Sequence, residues 1–148
     1  MTQTRHVTIV MIEDDEGHAR LIERNIRRAG IMNEIRHFTA GGLALDYLHN
    51  DEAGPAHNGP ALVLLDLNLP DMSGTDILAD IKSNERLRRT PVVVLTTTDD
   101  KVEIQRCYDL GCNVYITKPV NYESFADAIR QLGLFLSVIQ VPEIEGGA

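Results

Sequence analysis

Five times along this chain an apolar run rich in β-branched residues gives way to a helical pattern, and that alternation restricts the fold more than any other feature. The runs are 6–12 (HVTIVMI), 31–37, 61–65, 91–96 and 113–116, the second being the weakest. The stronger ones are too uniformly apolar for strands with one wet face, so helices must cover both faces, as in parallel sheets. Between the first two runs Ala19, Ile22, Ile26 and Ala29 recur at helical spacing and Gly30 follows as a stop, which predicts an amphipathic helix over 16–29. The same reading predicts helices near 40–49, 74–84, 100–110 (with Gly111 as its stop) and 121–139. Right-handed crossovers then give an α/β fold, a doubly wound (βα)5 unit with a five-stranded parallel sheet in the order 2-1-3-4-5. Ligands of such sheets gather beyond the carboxyl ends of the strands where the order reverses, here between the first and third strands.

The chain has 148 residues, 43% of them apolar, enough for one domain with one core, and no internal repeat or linker divides it. Its formal charge of -8 argues against nucleic acid or an anionic membrane as a partner, since both demand a basic patch. Arg86, Arg88 and Arg89 form the one local basic cluster and read as a solvated helix end. No apolar run approaches the ~20 residues of a membrane span, and the N-terminus lacks a signal-peptide core, so a cytoplasmic protein is expected. Cys107 and Cys112 make neither a zinc knuckle nor a disulfide framework, and Cys107 reads as a core residue. The five histidines are scattered and read as surface or partly buried side chains. Residues 49–60 (HNDEAGPAHNGP) read as a long exposed loop.

Polar residues collect where the strands end. The first strand ends in Glu13-Asp14-Asp15, the third in Asp66, the fourth in Thr96-Thr97-Thr98, and the fifth runs on to Thr117-Lys118-Pro119. An acid after a strand often does no more than cap the next helix, and Asp15 or Glu16 can be explained that way. Asp66 cannot, because it closes the run Leu62-Val63-Leu64-Leu65, and a carboxylate buried there is costly unless paired. Three carboxylates roughly 5 Å apart repel by about 3 kcal/mol per pair at an effective dielectric of ~20, about 10 for three pairs. Lys118 alone does not offset that, whereas a divalent cation does, and an all-oxygen set suits Mg2+ or Mn2+ better than zinc. Magnesium sites of this kind commonly handle phosphate. Asp66 is then a candidate nucleophile that takes a phosphoryl group as an acyl phosphate, with Lys118, the Thr96 hydroxyl and the Thr97 backbone N–H facing the phosphoryl oxygens.

With these residues together, the sequence resembles the receiver domain of bacterial two-component response regulators, from His6 to about Leu136. Glu13-Asp14 follows the first strand, Asp66 is followed by Asn68, Pro70 and Gly74, and Thr96 and Lys118-Pro119 close the last two strands. The resemblance implies a flavodoxin-like fold and Asp66 as phosphoacceptor. It implies Mg2+ held by Glu13, Asp14, Asp66 and the Asn68 carbonyl, phosphoryl contacts from Thr96 and Lys118, and a cis Lys118-Pro119 bond. It also implies a switch in which Thr96 moves toward the phosphate and Tyr115 rotates inward, remodelling the face made by the fourth helix, fifth strand and fifth helix. Glu13 stands where the family more often has Asp and is expected to act through water. Thr97 is larger than the Ala, Ser or Gly usual there and is expected to narrow access to Asp66.

No output domain follows the receiver pattern, so a single-domain regulator phosphorylated by a sensor histidine kinase is expected, not an enzyme turning over other substrates. The stretch 132–141 (LGLFLSVIQV) is more apolar than one helix stripe against a sheet requires. Its Leu132, Phe135, Leu136, Val138 and Ile139 are candidates for a homodimer interface. This tail and the loop at 49–60 resemble the small regulators paired with phytochrome-type histidine kinases. Phosphohydrolases of the haloacid dehalogenase type also use a strand-end Asp, Thr, Lys and Mg2+, but carry a general acid two residues after the nucleophile, where this chain has Asn68.

Overall fold

A computed structural model describes residues 7–50, 54, 60–118, 123 and 127. The strands are β1 (Thr8–Ile12), β2 (Ile35–Phe38), β3 (Ala61–Asp66), β4 (Val92–Thr96) and β5 (Val114–Thr117). The helices are α1 (Glu16–Arg28), α2 (Gly41–His49), α3 (Gly74–Ser83) and α4 (Lys101–Leu110). All strand pairs are parallel and the sheet order is β2-β1-β3-β4-β5, as the alternation predicts. The helix expected over 121–139 lies outside the described residues except for Glu123 and Asp127, which are helical. Pro119, the apolar stretch 132–141 and most of 49–60 also lie outside them.

Strand alternation sorts the core into two layers. Val10, Ile12, Val63, Leu65, Val92 and Val94 face α2, α3 and α4, packing with Ala44, Leu48, Ile77, Leu78, Ile81 and Cys107. Ile9, Met11, Leu62, Leu64, Val93 and Leu95 face the other way, onto Ala19, Ile22 and Ile26 of α1. Each large aliphatic side chain removed from water here contributes about 2 kcal/mol, which fixes the strands' facing because a slip of one residue would invert every one of them. Cys112 joins the first layer beside Cys107, both thiols free.

Local chemistry sets most boundaries. Asp15 caps α1 by accepting the His18 N–H, Ser73 caps α3 through the Thr75 N–H, and Asp100 caps α4 through the Val102 N–H. Gly111 ends α4 at φ +109°, a left-handed conformation that favours glycine. The second strand departs from the sequence reading, which places it at 31–37. Arg27 donates to the carbonyls of Ile31 and Asn33, and the Asn33 side chain donates to the Val7 carbonyl, so side chains tie down the stretch before Ile35. Pairing with β1 starts at Ile35 opposite Ile9. The basic trio Arg86, Arg88 and Arg89 is exposed just past α3, as expected.

Candidate functional site

Strand register delivers the site. Ile12 lies opposite Leu65, so the next residues, Glu13 and Asp66, arrive side by side. Asp66 lies opposite Leu95 and Thr96 opposite Thr117, which brings Thr96 and Lys118 to the same rim, where the Lys118 N–H donates to the Thr96 carbonyl at 2.7 Å. Alternation also assigns faces. Glu13, Asp66 and Lys118 continue the register that faces α1, while Thr96 and Tyr115 continue the register that faces α2, α3 and α4.

One carboxylate oxygen from each of Glu13, Asp14 and Asp66 can be chosen so that all three lie within 4.8 Å of one another. Glu13 and Asp66 are buried, and Asp14 is exposed at the mouth. The Lys118 ammonium donates to Glu13 Oε1 at 2.6 Å and to Asp66 Oδ2 at 3.3 Å, and its side chain is 6% exposed. Asp66 Oδ1 accepts the Asn68 backbone N–H at 3.1 Å, so both oxygens of Asp66 are held. Glu13 Oε2 accepts the Asp15 N–H at 3.2 Å, giving Glu13 direct protein partners at both oxygens. Burial pushes the Glu13 carboxyl up, and the Lys118 hydrogen bond pulls it part of the way back.

The turn after Asp66 is closed by a bridge between Asn68 and Ser73 and by the Gly74 N–H donating to the Leu67 carbonyl at 2.9 Å. A Cβ on residue 74 would lie 2.5 Å from both the Asp66 carbonyl oxygen and the Leu67 Cα, so glycine is demanded by close approach of backbone. Thr96 is fully buried, and among the described residues its Oγ1 has only long contacts, 3.5 Å to Asn68 Nδ2 and 3.4 Å to the Thr98 N–H. The Thr98 carbonyl in turn accepts the Tyr115 hydroxyl at 2.9 Å. Burial raises the Tyr115 phenol to about 12, so it stays a donor at neutral pH. Thr97 is exposed beside Thr96.

Two residues at this rim escape sequence reasoning. His18 Nδ1 lies 3.1 Å from Lys118 Nζ, although the sequence places His18 among scattered histidines that read as surface or partly buried. The clue was local: a side chain in the first turn of a helix leans back toward the strand end that precedes it. Asp71 accepts the Gly41 and Gly42 N–H groups at 2.8 Å each, and those bonds hold its carboxyl below the usual range. It caps α2, whose own cap position, Ala40, has no side chain to offer.

A family model of the response regulator receiver domain matches residues 9–130. The chain belongs to the response regulator receiver family. A solved receiver domain from Rhodospirillum rubrum is 70% identical, with a TM-score of 0.75 over 93% of this chain and 98% of its own. The response regulator Rcp1 of Synechocystis is 33% identical over 90% of this chain and 92% of its own. Its Mn2+-bound structure has a TM-score of 0.69, at 34% identity over 85% of this chain and 91% of its own. The phosphorylated cyanobacterial phytochrome response regulator RcpA is 35% identical, with a TM-score of 0.70 over 88% of this chain and 94% of its own. This receiver's cluster fits a divalent cation. Three carboxylates and one ammonium leave a formal charge of -2, and the donors are all oxygen. Among the described residues no helix is long and apolar enough to cross a membrane.

Proposed function

We propose that this response regulator takes a phosphoryl group on Asp66 in a reaction dependent on a divalent cation, Mg2+ in the cell and Mn2+ as a substitute. The observation that carries this reading is the meeting of Glu13, Asp14 and Asp66 with the Lys118 ammonium at the rim of a rigid sheet. Glu13, Asp14, Asp66 and the Asn68 carbonyl would hold the cation, which when bound would offset the negative charge of the carboxylates and of a phosphoryl group. An Asp66 oxygen attacks phosphorus while the bond to the donor breaks, a phosphohistidine nitrogen on the kinase or the acetate oxygen of acetyl phosphate. Lys118 takes one phosphoryl oxygen, with the Thr96 hydroxyl and the Thr97 N–H facing the others. The chain acts on itself and turns over no other substrate.

The donor is a sensor histidine kinase, and the phosphorylated phytochrome regulator among the similar structures favours a phytochrome-type kinase. Thr96 is suited to a switch because its long contacts are weak, and a phosphoryl oxygen offers a charge-assisted bond worth about twice as much. Its movement would reach Tyr115 through Thr98 and remodel the α4–β5 face toward the fifth helix. The 148 residues act as one receiver unit in the cytoplasm, away from nucleic acid and membrane. They pair as a homodimer through Leu132, Phe135, Leu136, Val138 and Ile139, which light scattering of the free and phosphorylated protein tests. Intact-mass spectrometry with acetyl phosphate tests the chemistry. One adduct that needs Asp66 and Mg2+, and is absent in Asp66→Asn and in EDTA, is the expected result; an adduct that survives Asp66→Asn, or none at all, overturns it.

A further inference from the structure

The Lys118 ammonium has three hydrogens to give, and among the described residues three acceptors surround it: Glu13 Oε1 at 2.6 Å, His18 Nδ1 at 3.1 Å and Asp66 Oδ2 at 3.3 Å. An ammonium only donates, so Nδ1 presents its lone pair and the ring proton sits on Nε2. The alternative pairing of His18 with Glu13 Oε2 is 3.8 Å long, beyond hydrogen-bond reach. Two of the three acceptors, Glu13 and Asp66, belong to the carboxylate cluster that suits a cation. His18 lies outside that cluster, so its hold on Lys118 does not compete with a metal. The backbone that carries the ring is anchored: the His18 backbone N–H donates to Asp15 Oδ1 at 2.9 Å, which caps the first turn of α1.

We propose that His18 is a positioning residue for Lys118. Its Nδ1 keeps the ammonium turned toward Asp66 when the carboxylates serve a cation, and so raises the rate at which Asp66 accepts a phosphoryl group. The inference rests on the phosphoacceptor reading above. Among the described residues, the ammonium without His18 would keep only partners that a cation also claims, and a long flexible side chain would lose its orientation when it is needed.

The test compares the full chain with His18→Ala and His18→Asn, the second restoring an oxygen acceptor near the place of Nδ1. The His18 side chain is 48% exposed, so neither change opens the core. In the metal-free protein, 1H–15N spectra of lysine ammonium groups should show a Lys118 signal that is altered in His18→Ala and kept in His18→Asn. With acetyl phosphate and saturating Mg2+, His18→Ala should be phosphorylated about three- to tenfold more slowly at an unchanged half-saturating Mg2+ concentration. His18→Asn should recover most of that loss. An unaltered Lys118 signal, a wild-type rate in His18→Ala, equal slowing in both variants, or a raised half-saturating Mg2+ concentration each overturns the inference. A wild-type chain that takes no phosphoryl group overturns the underlying reading instead, whereas failure confined to the His18 variants leaves that reading standing.

Discussion

Lys118 is the residue on which the rim depends most, because it alone among the described residues sets a cationic side chain between Glu13 and Asp66. Replacing it with Ala leaves two buried carboxylates facing each other, and the metal-free protein should lose about 3 kcal/mol in urea denaturation. The same change takes the cluster from -2 to -3, so added Mg2+ should restore stability by more than it adds to the wild type. Gly74 is the second such position. Gly74→Ala drives a Cβ into the Asp66 and Leu67 backbone, costing about 1–3 kcal/mol and slowing phosphorylation by displacing the turn that holds Asp66, which thermal melts and intact mass together would read. Both residues could be read in the sequence, Lys118 from its place after the fifth strand and Gly74 from the Pro-Asp-x-x-Gly turn. His18 offered only its place in the first turn of α1 as a clue, since its partner is 100 residues away and the spacing of histidines carries no trace of it.

At the scale of elements, helix ends were legible wherever the capping group is local: Asp15, Gly30 and Gly111 do what their positions predict. What could not be read came from distant chain. The start of β2 is moved by Arg27 and Asn33, and the cap of α2 comes from Asp71, thirty residues on. Asp71 therefore gives a pH dependence of known sign. The Gly42 and Gly41 N–H groups lower its folded value, so its contribution is complete above the unfolded value near 3.8 and fades as pH falls through the lower folded value. Asp71→Ala should unfold at a lower urea concentration than wild type at pH 6, and that gap should narrow below pH 3.8. A gap that stays constant on acidification would mean that the carboxylate charge is irrelevant to α2.

For the molecule as a whole, the parallel sheet and the meeting of strand ends followed from alternation and handedness, which leave a sheet with covered faces a few orders, the observed one among them. The strand-end residues Glu13, Asp66, Thr96 and Lys118 were legible for the same reason, whereas their contacts depended on side-chain packing. A cation that binds only the folded cluster must stabilise the whole domain. At about 100 times its dissociation constant it adds about 2.7 kcal/mol, so Mg2+ should raise the melting temperature by roughly 5–10 °C. Asp14→Asn and EDTA should each remove most of that rise; an equal rise in Asp14→Asn would place the ion elsewhere.

The two-sided character of the rim has a consequence for how such a chain can diversify. Glu13, Asp66 and Lys118 belong to the register packed against α1, and Thr96 and Tyr115 to the opposite register. A sheet one residue thick thus works as a partition wall with a single opening at its top edge. Substitutions behind one side of the wall would act first on Lys118 and the carboxylates, those behind the other first on Thr96 and Tyr115, and the two sets meet only at the rim.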